Sequence, residues 1–85
     1  MAATKQDIRQ WFLDGVELHA THMIVVCDTY DYEDYPVYVM PDDDVRKIEA
    51  KHQLSAGNMQ RVMEVYNLSL DREEQLNHIG LVFNY

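Results

Sequence analysis

Between Cys27 and Asp44 the chain reads "CDTYDYEDYPVYVMPDDD": seven carboxylates and four tyrosines in eighteen positions, without a lysine or arginine. Three kinds of chemistry use such a set. Carboxylates are hard oxygen ligands for calcium or magnesium. They can act in pairs as general acid and base. Or they steer a basic partner while tyrosines, which give large contact area at low conformational-entropy cost, anchor it.

The first two lack their supporting pattern. Asp28, Asp31, Glu33 and Asp34 sit in a run without the glycine that turns the loop of an EF-hand. His19 and His22 in "HATH" straddle an expected helix end and strand start, and no Cys/His set accompanies them, so a zinc site is not expected. There is no G-x-S-x-G, Gly-rich phosphate loop or H-E-x-x-H. Cys27, the single cysteine, lies in an apolar run where a buried reduced thiol is expected. No enzyme, metal or cofactor is expected.

The third survives. Asp28, Tyr30, Asp31, Tyr32, Glu33, Asp34 and Tyr35 are the candidate partner-binding residues, with Asp42, Asp43 and Asp44 in support. Taken alone, the three aspartates also read as the well-capped start of a helix. On an extended arm, Asp31 and Glu33 would repeat at about 6.6 Å, a row of charge that can stand in for phosphates.

Net charge is −8, with fifteen acids against seven bases, and no base falls between Gln10 and Val45. Direct nucleic-acid binding and attraction to anionic membranes are both disfavoured by that balance. A basic surface on another protein is favoured. A signalling nucleotide is the alternative ligand, with Arg46, Lys47, Arg61 and Arg72 as the supply of cations for its phosphates.

The elements that must position these residues follow from spacing. Thr4 and Asp7 resemble a capping box, and Ile8, Trp11, Phe12, Gly15 and Val16 share one helical face, which predicts a helix from Lys5 to about His19. "HMIVVC" fits a strand buried on both faces or nearly so. "YPVYVM" alternates, Val37 and Val39 against Tyr38 and Met40, with Pro36 at a strand start or edge. The acidic segment, about eight residues, would link these strands as a hairpin. Asp42 to Asp44 open a helix to about His52, and "LSAGN" is a loop. "MQRVMEVYNL" matches either period, but its β-branched and aromatic tail favours a third strand. Ser69 caps a last helix ending near His78, and the apolar tail "LVFNY" docks on the body.

One domain over residues 1–85 is the expectation, since so short a chain builds one core. The order α-β-β-α-β-α gives an α+β fold, a three-stranded antiparallel sheet with helices packed on one face. Trp11, Phe12, Ile24, Val26, Val37, Val39, Val62 and Val65 are its expected core. The second sheet face would then need cover, and a homodimer that buries it or pairs edge strands is one way to supply it. No apolar run approaches the roughly 18 residues of a membrane span, and "MAATKQDIRQ" lacks a signal peptide's apolar segment, so a cytoplasmic protein is expected.

The segments "ATHMIVVCDTYDYEDYPVYVMPDDDVR" and "NMQRVMEVYNLSLDREEQL" resemble small uncharacterised proteins encoded by bacteriophages and prophages, over most of residues 3 to 77. The resemblance implies a phage accessory protein acting in the bacterial host cytosol. Proteins of that class often inhibit host defence systems, anti-CRISPR proteins among them.

Overall fold

Thr4 stops the chain in an extended conformation and starts a helix: its Oγ1 accepts the Asp7 N–H at 3.1 Å, while Asp7 Oδ2 accepts the Thr4 N–H at 3.0 Å. The capping box is made, with aspartate in the place more often held by glutamate. In the computed structural model, which describes residues 3–53 and 59–85, the order is α1 (Lys5–Glu17), β1 (His22–Asp28), β2 (Glu33–Val39), α2 (Val45–Gln53), β3 (Gln60–Asn67) and α3 (Arg72–Leu76). This is the expected α+β order. The "LSAGN" loop lies outside the described residues.

The strands form one antiparallel sheet in the order β2-β1-β3. β1 is central, and Met23 to Cys27 are five consecutive buried residues. An uninterrupted buried run needs cover on both sides of the sheet. It has both. On one face Met23, Val25 and Tyr66 pack against Ile8 and Phe12 of α1, Leu76 of α3, and Val82. On the other, Ile24, Val26, Val39, Val62 and Val65 meet Val45 and Ile48 of α2. Helices on one face only is therefore corrected: α2 crosses to the opposite face. Of the eight expected core residues, Trp11 and Val37 are half-buried and the rest are buried.

β3 explains its own ambiguous sequence. Val25 pairs with Glu64 but Val26 with Val62, so Met63 is an extra residue, a β-bulge. The bulge puts Val62 and Val65, three apart, on one face. That spacing imitates a helix.

Both edge strands are blunted against a further strand. Along β3 the outward N–H groups of Val62, Val65 and Asn67 donate to Gln53 Oε1 at 2.7 Å, the Val82 carbonyl at 2.8 Å and Gln75 Oε1 at 2.9 Å. On β2, Pro36 faces Val25, whose backbone bonds to β3; this pair is not hydrogen-bonded, so the missing proline N–H falls on the outer edge. Both sheet faces are thus covered by helices, and both edge strands are blunted.

The tail is held at several points. Tyr66 donates to Glu64 Oε1 at 2.8 Å, and Glu64 Oε2 accepts the Val82 N–H at 3.2 Å. Burial first, and this bond to a carboxylate second, push the Tyr66 hydroxyl well above its ordinary range. Tyr85 donates to Glu49 on α2, and the Arg46 guanidinium lies 3.5 Å from the centre of the Tyr85 ring.

At Gly15, α1 lies tight against Tyr38 of β2 and against Leu68. A Cβ there would stand 2.8 Å from Leu68 Cδ1 and 2.8 Å from Tyr38 Cε1. Tyr38 cannot swing away freely, because its hydroxyl donates to the Trp11 carbonyl at 2.8 Å. Alanine in a helix interior ordinarily gains about 1 kcal/mol over glycine. Overpacking costs about 1–3 kcal/mol. Gly15→Ala is expected to lose stability, by a net of about 1 kcal/mol, read as a lower urea midpoint with unchanged slope. A raised midpoint would show that Tyr38 and Leu68 give way.

Candidate interaction site

The acidic stretch splits in two. β1 runs to Asp28 and β2 starts at Glu33, so the hairpin loop is four residues, 29–32, and not the eight expected. Asp28, Glu33, Asp34 and Tyr35 belong to the strands. Asp42, Asp43 and Asp44 follow the far end of β2 and lie away from the hairpin tip, about 20 Å along a seven-residue strand. The first seven candidates are brought together; the three aspartates are not.

At the tip the carboxylates shape the turn. Asp28 Oδ1 accepts the Tyr30 N–H at 2.9 Å, and Asp31 Oδ1 accepts the Glu33 N–H at 3.1 Å. Both are side-chain turns of the kind aspartate favours. The Thr29 N–H donates to the Met59 carbonyl at 2.8 Å, tying the loop to β3. Tyr32 takes φ +58°, the left-handed region, uncommon for a residue with a large side chain. That break replaces the extended arm, so Asp31 and Glu33 do not form a regular charged row.

Two rings stand out of this turn: Tyr30 is 78% exposed and Tyr32 68%. Asp28 and Glu33 face each other directly across the last pair of the ladder. Like charges so placed destabilise a hairpin, and a cation set between them would remove that cost. Asp34 points elsewhere; its Oδ2 accepts the Ala3 N–H at 3.0 Å. Tyr35 turns inward, half-buried against the α2-side cluster. Its oxygen accepts from Gln60 Nε2 at 2.7 Å, and Gln60 Oε1 lies 3.1 Å from His52 Nδ1. Burial raises the Tyr35 hydroxyl above its usual range. Tyr35 is a packing residue at the base of the hairpin.

The remaining candidates take clear places. Cys27 is buried; burial, then a hydrogen bond and the nearby charge of Asp34, push its thiol up, so it keeps its proton at neutral pH. His22 Nδ1 sits 2.9 Å from Thr21 Oγ1, and Nε2 is buried without a hydrogen-bond partner. Thr21 Oγ1 also lies 3.2 Å from the Val39 carbonyl, to which it can donate. Among the described residues no three His, Cys, Asp or Glu side chains gather to hold a metal ion. The cations proposed for a phosphate do not converge. Arg46 stacks on Tyr85, Arg72 donates to Glu73 Oε2 at 2.9 Å, Lys47 is on the surface of α2, and Arg61 is across Cys27 on β3. Among the described residues no helix is long and apolar enough to cross a membrane.

Sequence reasoning missed a second feature, at the other end of the sheet. Leu70, Leu81 and Phe83 are exposed and line a cleft of about 610 Å³ beside α3. The signal was present in the apolar tail: it docks on the body as expected, through Val82, but leaves Leu81 and Phe83 exposed. Compared with known proteins, the chain matches no family model, no curated protein and no solved structure.

Proposed function

We propose that this chain is a phage-type accessory protein that works by docking, without catalysis, in the cytosol of a bacterial host. Its hairpin tip binds a basic groove on a host nucleic-acid-handling or defence enzyme and inhibits it by occupying the place of the nucleic acid. The observation that carries this reading is the tip itself: Tyr30 and Tyr32 exposed above the facing carboxylates of Asp28 and Glu33. Exposed tyrosine beside a cluster of acids is suited to a cationic partner, with charge guiding approach and the rings sealing the contact. The net charge of −8 adds attraction at longer range. Resemblance to phage-encoded proteins supplies the host setting. The likeness to nucleic acid rests on charge alone, since the extended row is not formed.

The test is capture from a bacterial lysate by the wild type and by a fourfold amide variant, Asp28→Asn, Asp31→Asn, Glu33→Gln and Asp34→Asn. Each amide keeps an oxygen acceptor for the N–H groups these side chains hold, so the fold should persist while four charges go. The wild type should retain a nucleic-acid-binding protein that the variant does not, and added DNA or RNA should release it. Identical capture by both proteins, or a partner that binds nucleic acid and this chain together, would refute the reading.

A further inference from the structure

The C-terminal tail carries apolar side chains that the core does not use. Val82 is buried, but Ile79 is 95% and Leu81 57% exposed, with Phe83 and Leu70 exposed as well. Leu70, Leu81 and Phe83 wall the cleft beside α3, Gln75 and Val82 lie buried in its floor, and Asp71 and Glu74 are its charged rim. His78 also lines it, but no lysine or arginine does. Its volume of about 610 Å³ falls within the range of ligand pockets. One more feature is open. The Val82 carbonyl and the Asn84 N–H both bond to Val65, in a single parallel bridge between Val65 and Phe83. Backbone groups alternate in direction along an extended chain, so the N–H and carbonyl of Phe83 itself point away from β3.

We propose that this cleft binds an extended peptide segment of a partner protein in which apolar side chains alternate with lysine or arginine. The apolar residues enter between Leu70, Leu81 and Phe83. The cations meet Asp71 and Glu74. The main chain of the segment pairs with the outward groups of Phe83, a strand added to a short exposed edge. A second copy of this chain is the wrong occupant by charge, because a two-fold contact would bring Asp71 and Glu74 of each copy together in a protein of net charge −8. The site lies at the Asn67 end of β3, opposite the hairpin tip, and does not depend on what the tip binds.

Three fluorescein-labelled decapeptides provide the probe: alternating Leu-Lys, alternating Leu-Glu, and alternating Ser-Lys. Their anisotropy is measured at physiological salt against the wild type, Leu81→Ser, Glu74→Lys and the fourfold amide hairpin variant. The Leu-Lys peptide should bind saturably, more tightly than either analogue, and amide shifts should fall on residues 70–84. Leu81→Ser and Glu74→Lys should each weaken it by about tenfold or more, while the hairpin variant binds as the wild type does. Both cleft side chains are exposed, so an unchanged thermal midpoint will separate lost binding from lost folding. Equal binding of the Ser-Lys peptide, or loss only in the hairpin variant, would reduce the effect to charge and overturn the proposal. So would an absence of saturable binding by the Leu-Lys peptide. Self-association that Leu81→Ser abolishes would give the cleft to a second copy and overturn it equally.

Discussion

Replacing Gln75 by leucine is expected to lower the free energy of unfolding by about 2–4 kcal/mol, although the two side chains are similar in size. Gln75 is buried, and its amide is fully used. Nε2 donates to the Asn67 carbonyl at 3.0 Å and the Asp71 carbonyl at 3.1 Å; Oε1 accepts the Asn67 N–H at 2.9 Å and Asn84 Nδ2 at 3.0 Å. One side chain thus closes the end of the β3 edge, caps a turn and holds the tail. Leucine would leave those groups without partners, at about 1–3 kcal/mol for each that water cannot reach. Urea unfolding measures the loss, and amide exchange at Asn67 should quicken with it. A loss under about 1 kcal/mol would mean that water takes over the edge, and that Gln75 is no plug.

Gln75→Glu separates hydrogen bonding from shape. An ionised carboxylate accepts but cannot donate, and would face two carbonyl oxygens. The folded state therefore holds the carboxyl proton to a higher pH than the unfolded state, where the pKa is about 4.3. With the folded value raised, the variant keeps its stability below about pH 4.3 and loses it as pH climbs towards the folded pKa. The leucine variant should show no such added slope.

A side chain used in this way is not visible in a sequence, because glutamine on a short polar helix ordinarily faces water. What the sequence does display is local. The Thr4–Asp7 box, the apolar stripe of α1 and the β-branched run of β1 each fix an element without help from distant residues. The buried run of β1 also contained the clue that both sheet faces are covered. It was obscured by α2, whose only apolar contribution to the far face is Val45 and Ile48, neither fully buried. β3 was ambiguous for a definite reason, the bulge at Met63, which turns an alternating pattern into a three-residue one. The last helix begins later than Ser69 suggests. Ser69 Oγ bonds to Asn67 Oδ1 at 2.6 Å, and Asp71 instead accepts the Glu74 N–H at 2.9 Å. Within the candidate site the charges were legible and their partition was not. Extended back by two residues, the alternation of Val37 and Val39 already places Tyr35 inside, leaving Tyr30 and Tyr32 as the exposed rings. The left-handed turn at Tyr32 has no glycine or asparagine to announce it.

That division decides how substitutions at the tip should fail once the captured partner is in hand. Changing Asp31, Glu33 and Asp34 to asparagine and glutamine should mainly slow association and flatten its salt dependence. These charges act on the approaching partner across a Debye length of about 8 Å at physiological salt. Changing Tyr30 or Tyr32 to alanine should leave association nearly intact and speed dissociation, with a loss of about 2 kcal/mol or more at a true hot spot, roughly 30-fold in Kd. Tyr30 is 78% exposed and outside the two buried clusters, so Tyr30→Ala should unfold as the wild type does. Tyr35→Ala should behave differently. Its ring packs on the α2-side cluster and its oxygen accepts from Gln60, so the cost should fall on stability before it falls on binding. The measurement is association and dissociation over a salt series, with a thermal melt of every variant. If the neutralised protein binds with unchanged rates at every salt concentration, the acids at the tip serve only to form the turn, holding the Tyr30 and Glu33 N–H groups. Tyrosines whose loss leaves dissociation unchanged would then be solvated rings on a hairpin that binds nothing.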